Sequence, residues 1–213
     1  MRWATVGGSL TLSGPTRERV EQFVRPLYAG LDGEETFSRV ARVRSRVQRI
    51  DAGAEVDAEV LELLILFHGV IGRLGSLGRQ GRLDLFLGNL GLAPSVSRRV
   101  RGGLRRLATD PRTVEEMLVH DAVLLEESGV AAAARRLMVA GRRRVPLERA
   151  LARLDPGPPA VRYSTPGGAA AGAERRHGAK EWIESLRRTV AEENESPQSA
   201  IASPASDEYT NDR

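Results

Sequence analysis

Leu63-Leu64-Ile65-Leu66-Phe67-His68-Gly69-Val70-Ile71-Gly72-Arg73 is an apolar run closed by a histidine and a glycine. With Val56, Val60 and Leu61 before it, the run predicts a helix from Val56 to about His68 that is apolar nearly all round. A helix of that kind has no side to show to water, so other helices must enclose it. A histidine ending such a run also stands where a metal ligand could sit. The residue after it, Gly69, has no side chain to add to such a site.

The flanking segments supply the enclosing helices. Thr16 can cap a helix whose Val20, Phe23, Val24 and Leu27 fall at i, i+3, i+4 and i+7, with Arg17, Glu18 and Glu21 towards water. After Asp32-Gly33, a second carries Phe37, Val40, Val43, Val47 and Ile50 on one stripe, with Arg39, Arg42, Arg44, Arg46 and Arg49 spread around it. Gly72, Gly75, Gly78 and Gly81 predict a loop, followed by a short helix around Leu83 to Leu90. Ser95 starts a helix through Leu107, and Thr113 or Asp110 starts the next, through Leu125. Val130 to Ala140 and Leu147 to Leu154 form two more, split by Gly141 and the run Arg142 to Arg144. Thr165-Pro166 opens a last helix carrying Trp182, Ile183, Leu186 and Val190.

Aromatic residues make up 4% of the 213 residues, so Leu, Val and Ala must fill a core that a 41% apolar content can supply. No alternating Val/Ile/Thr run speaks for strands, and the expected fold class is all-α, a bundle of short helices. The expected organisation is a flexible segment over 1–15, one helical domain over 16–190, and a disordered acidic tail over 191–213. The absence of cysteine excludes disulfides and thiolate zinc sites. No stretch reaches the roughly 18 apolar residues of a membrane span, and residues 1–15 lack an apolar signal core, so a cytoplasmic protein with no membrane partner is expected.

The formal net charge of +4 is unevenly spread. From Ala191 onward six acids face one base, a net of −5, which leaves +9 on the preceding 190 residues. Arg105 and Arg106, and Arg142, Arg143 and Arg144, are the candidate contacts to phosphate or to an acidic partner, because guanidinium forks suit both. No aromatic residues interleave with them, which argues against a nucleic-acid partner and for a solvated basic surface.

Over roughly Thr16 to Val190 the order of segments resembles that of small, single-domain bacterial HD phosphohydrolases. Thr36-Phe37-Ser38-Arg39-Val40 matches that family's His-x-x-Arg-Val, and Asp57 to Arg73 resembles its apolar helix ending in His-Asp-Ile-Gly-Arg. Asp121-Ala122-Val123-Leu124-Leu125 stands where the family has Asp-Ala-Asp-Arg-Leu, and Thr165-Pro166-Gly167 opens a similar closing segment. The resemblance implies an HD-domain-like bundle and four metal-ligand positions, here Thr36, His68, Gly69 and Val123. Three of these have lost a ligating side chain together. A divalent metal that activates water needs several His and carboxylate ligands and an open position. His120, one turn before Val123, is the possible substitute, although two histidines without a carboxylate make a weak site.

The expected function is that of a non-catalytic, HD-like binding or regulatory module, a pseudoenzyme with no cofactor, whose partner is another protein or a phosphorylated small molecule. One alternative is a phosphohydrolase using Mn, Fe or Mg with substituted ligands on a nucleotide or related phosphate ester. A second is an Arg-mediated nucleic-acid binder.

Overall fold

The computed structural model describes residues 12–29, 37–50, 55–70, 80–159 and 162–195, apart from the side chains of 80–82 and 194–195. Among them are nine helices and no strand: α1 (Gly14–Tyr28), α2 (Ser38–Val47), α3 (Ala58–Phe67), α4 (Gln80–Asn89), α5 (Pro94–Arg106), α6 (Val114–Glu126), α7 (Val130–Arg142), α8 (Leu147–Ala152) and α9 (Pro166–Glu195). The all-α class expected from composition and periodicity is the class observed.

Helix α3 is the axis of the core. Asp57 caps it by accepting from the backbone N–H groups of Glu59 and Val60, and seven of its ten residues are buried. α1, α2, α5 and α6 all pack against it, as a helix without a polar side requires. Val20 and Val24 of α1, Val40, Val43 and Val47 of α2, Val100 and Leu104 of α5, and Leu118, Val119 and Ala122 of α6 complete this core. Of the two acids in α3, Glu59 lies in its first turn, and Glu62 is held by Arg17 of α1 at 2.8 Å and Arg44 of α2 at 2.5 Å. A second, smaller core joins Ala133, Leu151, Leu154 and Ile183 from α7, α8, the turn after it and α9.

Several helix ends differ from the sequence reading. Ser13, not Thr16, caps α1, because Pro15 fits the first turn and Thr16 then lies inside it, its N–H donating to Ser13 Oγ at 3.3 Å. For the same reason α5 starts at Pro94 rather than after Ser95. Of the two starts open for α6, Thr113 is the cap. Gly81, expected in a loop, belongs to α4, while Gly72, Gly75 and Gly78 lie outside the described residues. The last helix is 30 residues long and continues through Ala191–Glu195, where the tail was expected to begin. That stretch holds no Gly or Pro, and Ala and Glu favour helix. Residues 1–11 and 196–213 lie outside the described residues.

Asp121 fixes where α9 begins. Its side chain is fully buried and accepts from the Ser164 N–H at 2.7 Å, the Thr165 N–H at 2.8 Å and the Thr165 hydroxyl at 2.6 Å. Thr165 Oγ1 in turn accepts from the Gly168 N–H at 3.0 Å. Asp121→Ala leaves these donors buried without an acceptor and is expected to cost roughly 2–4 kcal/mol. Urea unfolding at pH 7 measures it; a cost under about 1 kcal/mol would mean that the start of α9 is held elsewhere.

Candidate functional site

His68 follows the last turn of α3 and is 8% exposed. Its Nδ1 lies 2.7 Å from the Ile65 carbonyl oxygen, which can only accept, so the proton of the neutral ring is on Nδ1. Nε2 is then the lone-pair nitrogen, and it is buried with no hydrogen-bond partner. Burial pushes the pKa down from 6.5 to about 4, and the positive charge of Arg39 acts in the same direction; the Ile65 bond and Glu126 oppose them. His68 is thus a neutral ring, close enough to Arg39 of α2 and Glu126 of α6 to feel both charges.

At Gly69 the space for a side chain is already filled. A Cβ built there would fall 2.7 Å from Cε1 and 2.8 Å from Oη of Tyr28. The Tyr28 hydroxyl accepts from the Gly69 N–H at 3.1 Å and donates to the Leu66 carbonyl at 3.2 Å, so the ring closes the end of α3. It also lies 6.4 Å from the His68 ring and meets Phe37 edge-on at 5.8 Å. Val123 is partly buried and packs on the main core. Thr36 lies outside the described residues.

His120 does not come to this place as a substitute ligand. Its Nδ1 faces the Leu107 carbonyl at 2.7 Å and its Nε2 the Arg162 carbonyl at 3.2 Å, so both ring nitrogens are turned to backbone on another side of α6. Asp121 points to the start of α9. Among the described residues no three His, Asp or Glu side chains gather as a metal-ligand set. A divalent cation does not fit what is there: one available imidazole nitrogen, the charge of Arg39 near it, and a tyrosine ring where a side chain at position 69 would stand.

The basic clusters read from sequence are placed differently from one another. Arg106 is bound to buried Glu116 at 2.5 Å, so it joins α5 to α6 rather than facing a ligand. Arg105 is exposed. Arg142, Arg143 and Arg144 are exposed at the end of α7 and just after it, and Arg144 has φ +55°. The solvated reading thus fits the exposed residues 142–144 but not Arg106; Arg99 nearby reaches Asp57 at 2.6 Å and buried Glu115 at 3.1 Å.

Sequence reasoning missed the charged group beside His68. Glu126, 3% exposed, lies where α2, α6 and α7 meet. Arg42 Nε donates to its Oε1 at 2.5 Å, Arg46 Nη2 lies 2.5 Å from Oε2, and Arg135 Nη2 lies 3.2 Å from Oε1 while donating to the Glu126 carbonyl at 2.6 Å. Arg39 reaches Glu127 at 3.4 Å. Gly129, with φ +85°, turns the chain into α7. It brings α6 so close to α9 that a Cβ there would touch Arg175 Cβ at 3.4 Å. The signal was available: α2 places an arginine at 39, 42 and 46, one turn apart, facing a helix with few water-facing positions for its acids.

No family model matches this chain, and no curated protein does. Solved structures share its fold, and two of them are bacterial proteins. The Lin1889 protein from Listeria innocua has a TM-score of 0.61 at 15% identity, covering 83% of this chain and 97% of that one. Bacillus subtilis YpgQ has a TM-score of 0.61 at 18% identity, covering 83% and 96%. At such identities the likeness speaks for the fold alone.

Gly69→Ala is expected to cost about 1–3 kcal/mol through overpacking against Tyr28, and clearly less in a Tyr28→Leu background. A double-mutant cycle by urea unfolding reads this coupling, and additive costs would contradict it. His68 sets a pH dependence. Its folded pKa is depressed, so between pH 6.5 and about 4 only the unfolded chain takes up the proton. The stability present above pH 6.5 is lost as the pH falls towards 4, by an amount on the order of 3 kcal/mol. Comparing the native chain with His68→Leu across that window isolates the effect, and parallel curves would refute it.

Proposed function

We propose that this protein is a catalytically silent relative of the HD phosphohydrolases, which keeps the helical framework as a binding or regulatory module. The observation that carries the reading is the Tyr28 ring in the space next to Gly69. Loss of a carboxylate alone leaves a gap that water or another ligand can fill. Here a buried aromatic side chain from a different helix occupies it, so regaining the acid requires moving the core.

Three further features support the reading. His68 has Nδ1 fixed to backbone, Val123 offers methyl groups where the resemblance calls for a carboxylate, and Arg39 brings positive charge to the place a cation would take. Water activation by a metal needs a held cation, and these groups neither ligate nor attract one. What the site can do is hold something. The partly exposed guanidinium groups around Glu126 and the helix surfaces beside them are the parts of the molecule suited to that.

Metal analysis after loading purified protein with Mn, Fe or Mg, combined with a screen of phosphate esters, tests the proposal. No stoichiometric metal and no turnover above background are expected. Stoichiometric metal together with turnover abolished by His68→Ala would overturn the reading in favour of a phosphohydrolase with substituted ligands.

A further inference from the structure

Between α4 and α5 lies an open cleft of about 420 Å³, room enough for a small organic molecule. Leu87 and Gly88 of α4 and Leu92 of the turn between the helices give it an apolar lining. Asp84 of α4 and Arg98 and Arg101 of α5 supply its polar side. None of these residues belongs to the group around His68 or Glu126.

The polar side has two guanidiniums and one carboxylate. Arg101 lies 3.2 Å from Asp84, and its Nε donates to the Ser97 carbonyl at 3.4 Å, so it is held in the wall with its charge matched. Arg98 is exposed, and its guanidinium makes no hydrogen bond or ion pair with another described residue. α5 begins beside the cleft at Pro94, where Ala93 provides no side-chain cap, so the positive end of the helix dipole adds to the charge of Arg98. One positive charge faces the cleft without an acid of its own.

Gly88 keeps the apolar side open. A Cβ built there meets no atom within 4 Å, and the backbone is helical, so neither close packing nor conformation calls for glycine. Gly91, three residues on, is the one whose φ of +73° does. Glycine weakens a helix relative to nearly every other residue. What the missing side chain at position 88 secures is the space of the cleft.

We infer that this cleft binds a small molecule that carries one carboxylate on an apolar body. The body lies against Leu87, Gly88 and Leu92, and the carboxylate takes the fork of Arg98. One guanidinium holds one carboxylate through two parallel N–H···O bonds. A doubly charged phosphate would leave negative charge unmatched beside Asp84. The cleft gives the chain a ligand class of its own, whether or not the centre at His68 is silent.

Octanoate is the probe, titrated into the 15N-labelled full-length protein and followed by amide chemical shifts. Saturable shifts are expected at Gly88, Leu92 and Ser97. Gly88→Leu places a side chain in the cleft and should weaken binding by roughly tenfold or more without lowering the melting temperature. Arg98→Gln, at an exposed position, should weaken octanoate by roughly tenfold and leave octanol binding unchanged. Absence of saturable shifts at these amides, or native octanoate affinity in either variant, overturns the site; Arg98→Gln keeps the test decisive where Gly88→Leu loses its fold. Octylammonium binding as well as octanoate, octyl phosphate binding more tightly, or an equal loss of octanol in Arg98→Gln overturns the carboxylate assignment.

Discussion

Helix α3 has no side that can face water, and that constraint organises the rest. With Val60, Leu63, Leu64, Ile65, Leu66 and Phe67 each buried, every neighbour has to bring an apolar stripe to it, and the stripes of α1, α2, α5 and α6 are spaced to do so. Burial of one such Leu or Phe side chain is worth about 1.5–3 kcal/mol, so this single helix accounts for a large part of the drive to fold. Enclosing α3 also forces polar residues of its neighbours inward. Glu115, Glu116 and Glu126 of α6 are buried for that reason, and each meets an arginine from a different helix. Pairs of this kind add little net stability, but removing one partner leaves a buried charge and costs several kcal/mol. They fix which helix lies against which.

The same packing decides the chemistry at the end of α3. A histidine there can ligate only if a nitrogen faces ligands of its own kind. His68 faces a backbone carbonyl on one side and has a guanidinium nearby, and the tyrosine that holds the chain at Gly69 fills the remaining room. Charge at this place comes from arginines.

Much of the fold could be read from the sequence, because a helix announces itself locally. The i, i+3, i+4 spacing of Val20, Phe23, Val24 and Leu27, the continuous run of α3 and the Thr165-Pro166 start all lie within a few residues of what they determine. The glycine after His68 was equally legible, but what fills the space beside it was not, since Tyr28 stands 41 residues earlier. Glu126 was missed for a related reason. A carboxylate at the end of an apolar helix looks solvent-facing until the arginines of α2, 80 and 84 residues away in sequence, are brought against it by the fold. The role of Asp121 could not be read either, because its partners lie 43 and 44 residues on.

An arginine-rich chain will place guanidiniums near carboxylates by chance, so the group around Glu126 has to be compared with the others in this molecule. Glu62 has two arginines, but their side chains are 46% and 28% exposed, so water screens whatever charge is left over. Arg99 faces two carboxylates, the opposite imbalance. Arg106 and Glu116 form a one-to-one pair. Among the described residues, Glu126 is the carboxylate met by three arginines, and Arg46, at 12%, stands where water screens little. Removing any one of Arg42, Arg46 and Arg135 leaves the buried Glu126 carboxylate less well compensated and costs stability, so the network fixes how α2 and α7 lie against the end of α6.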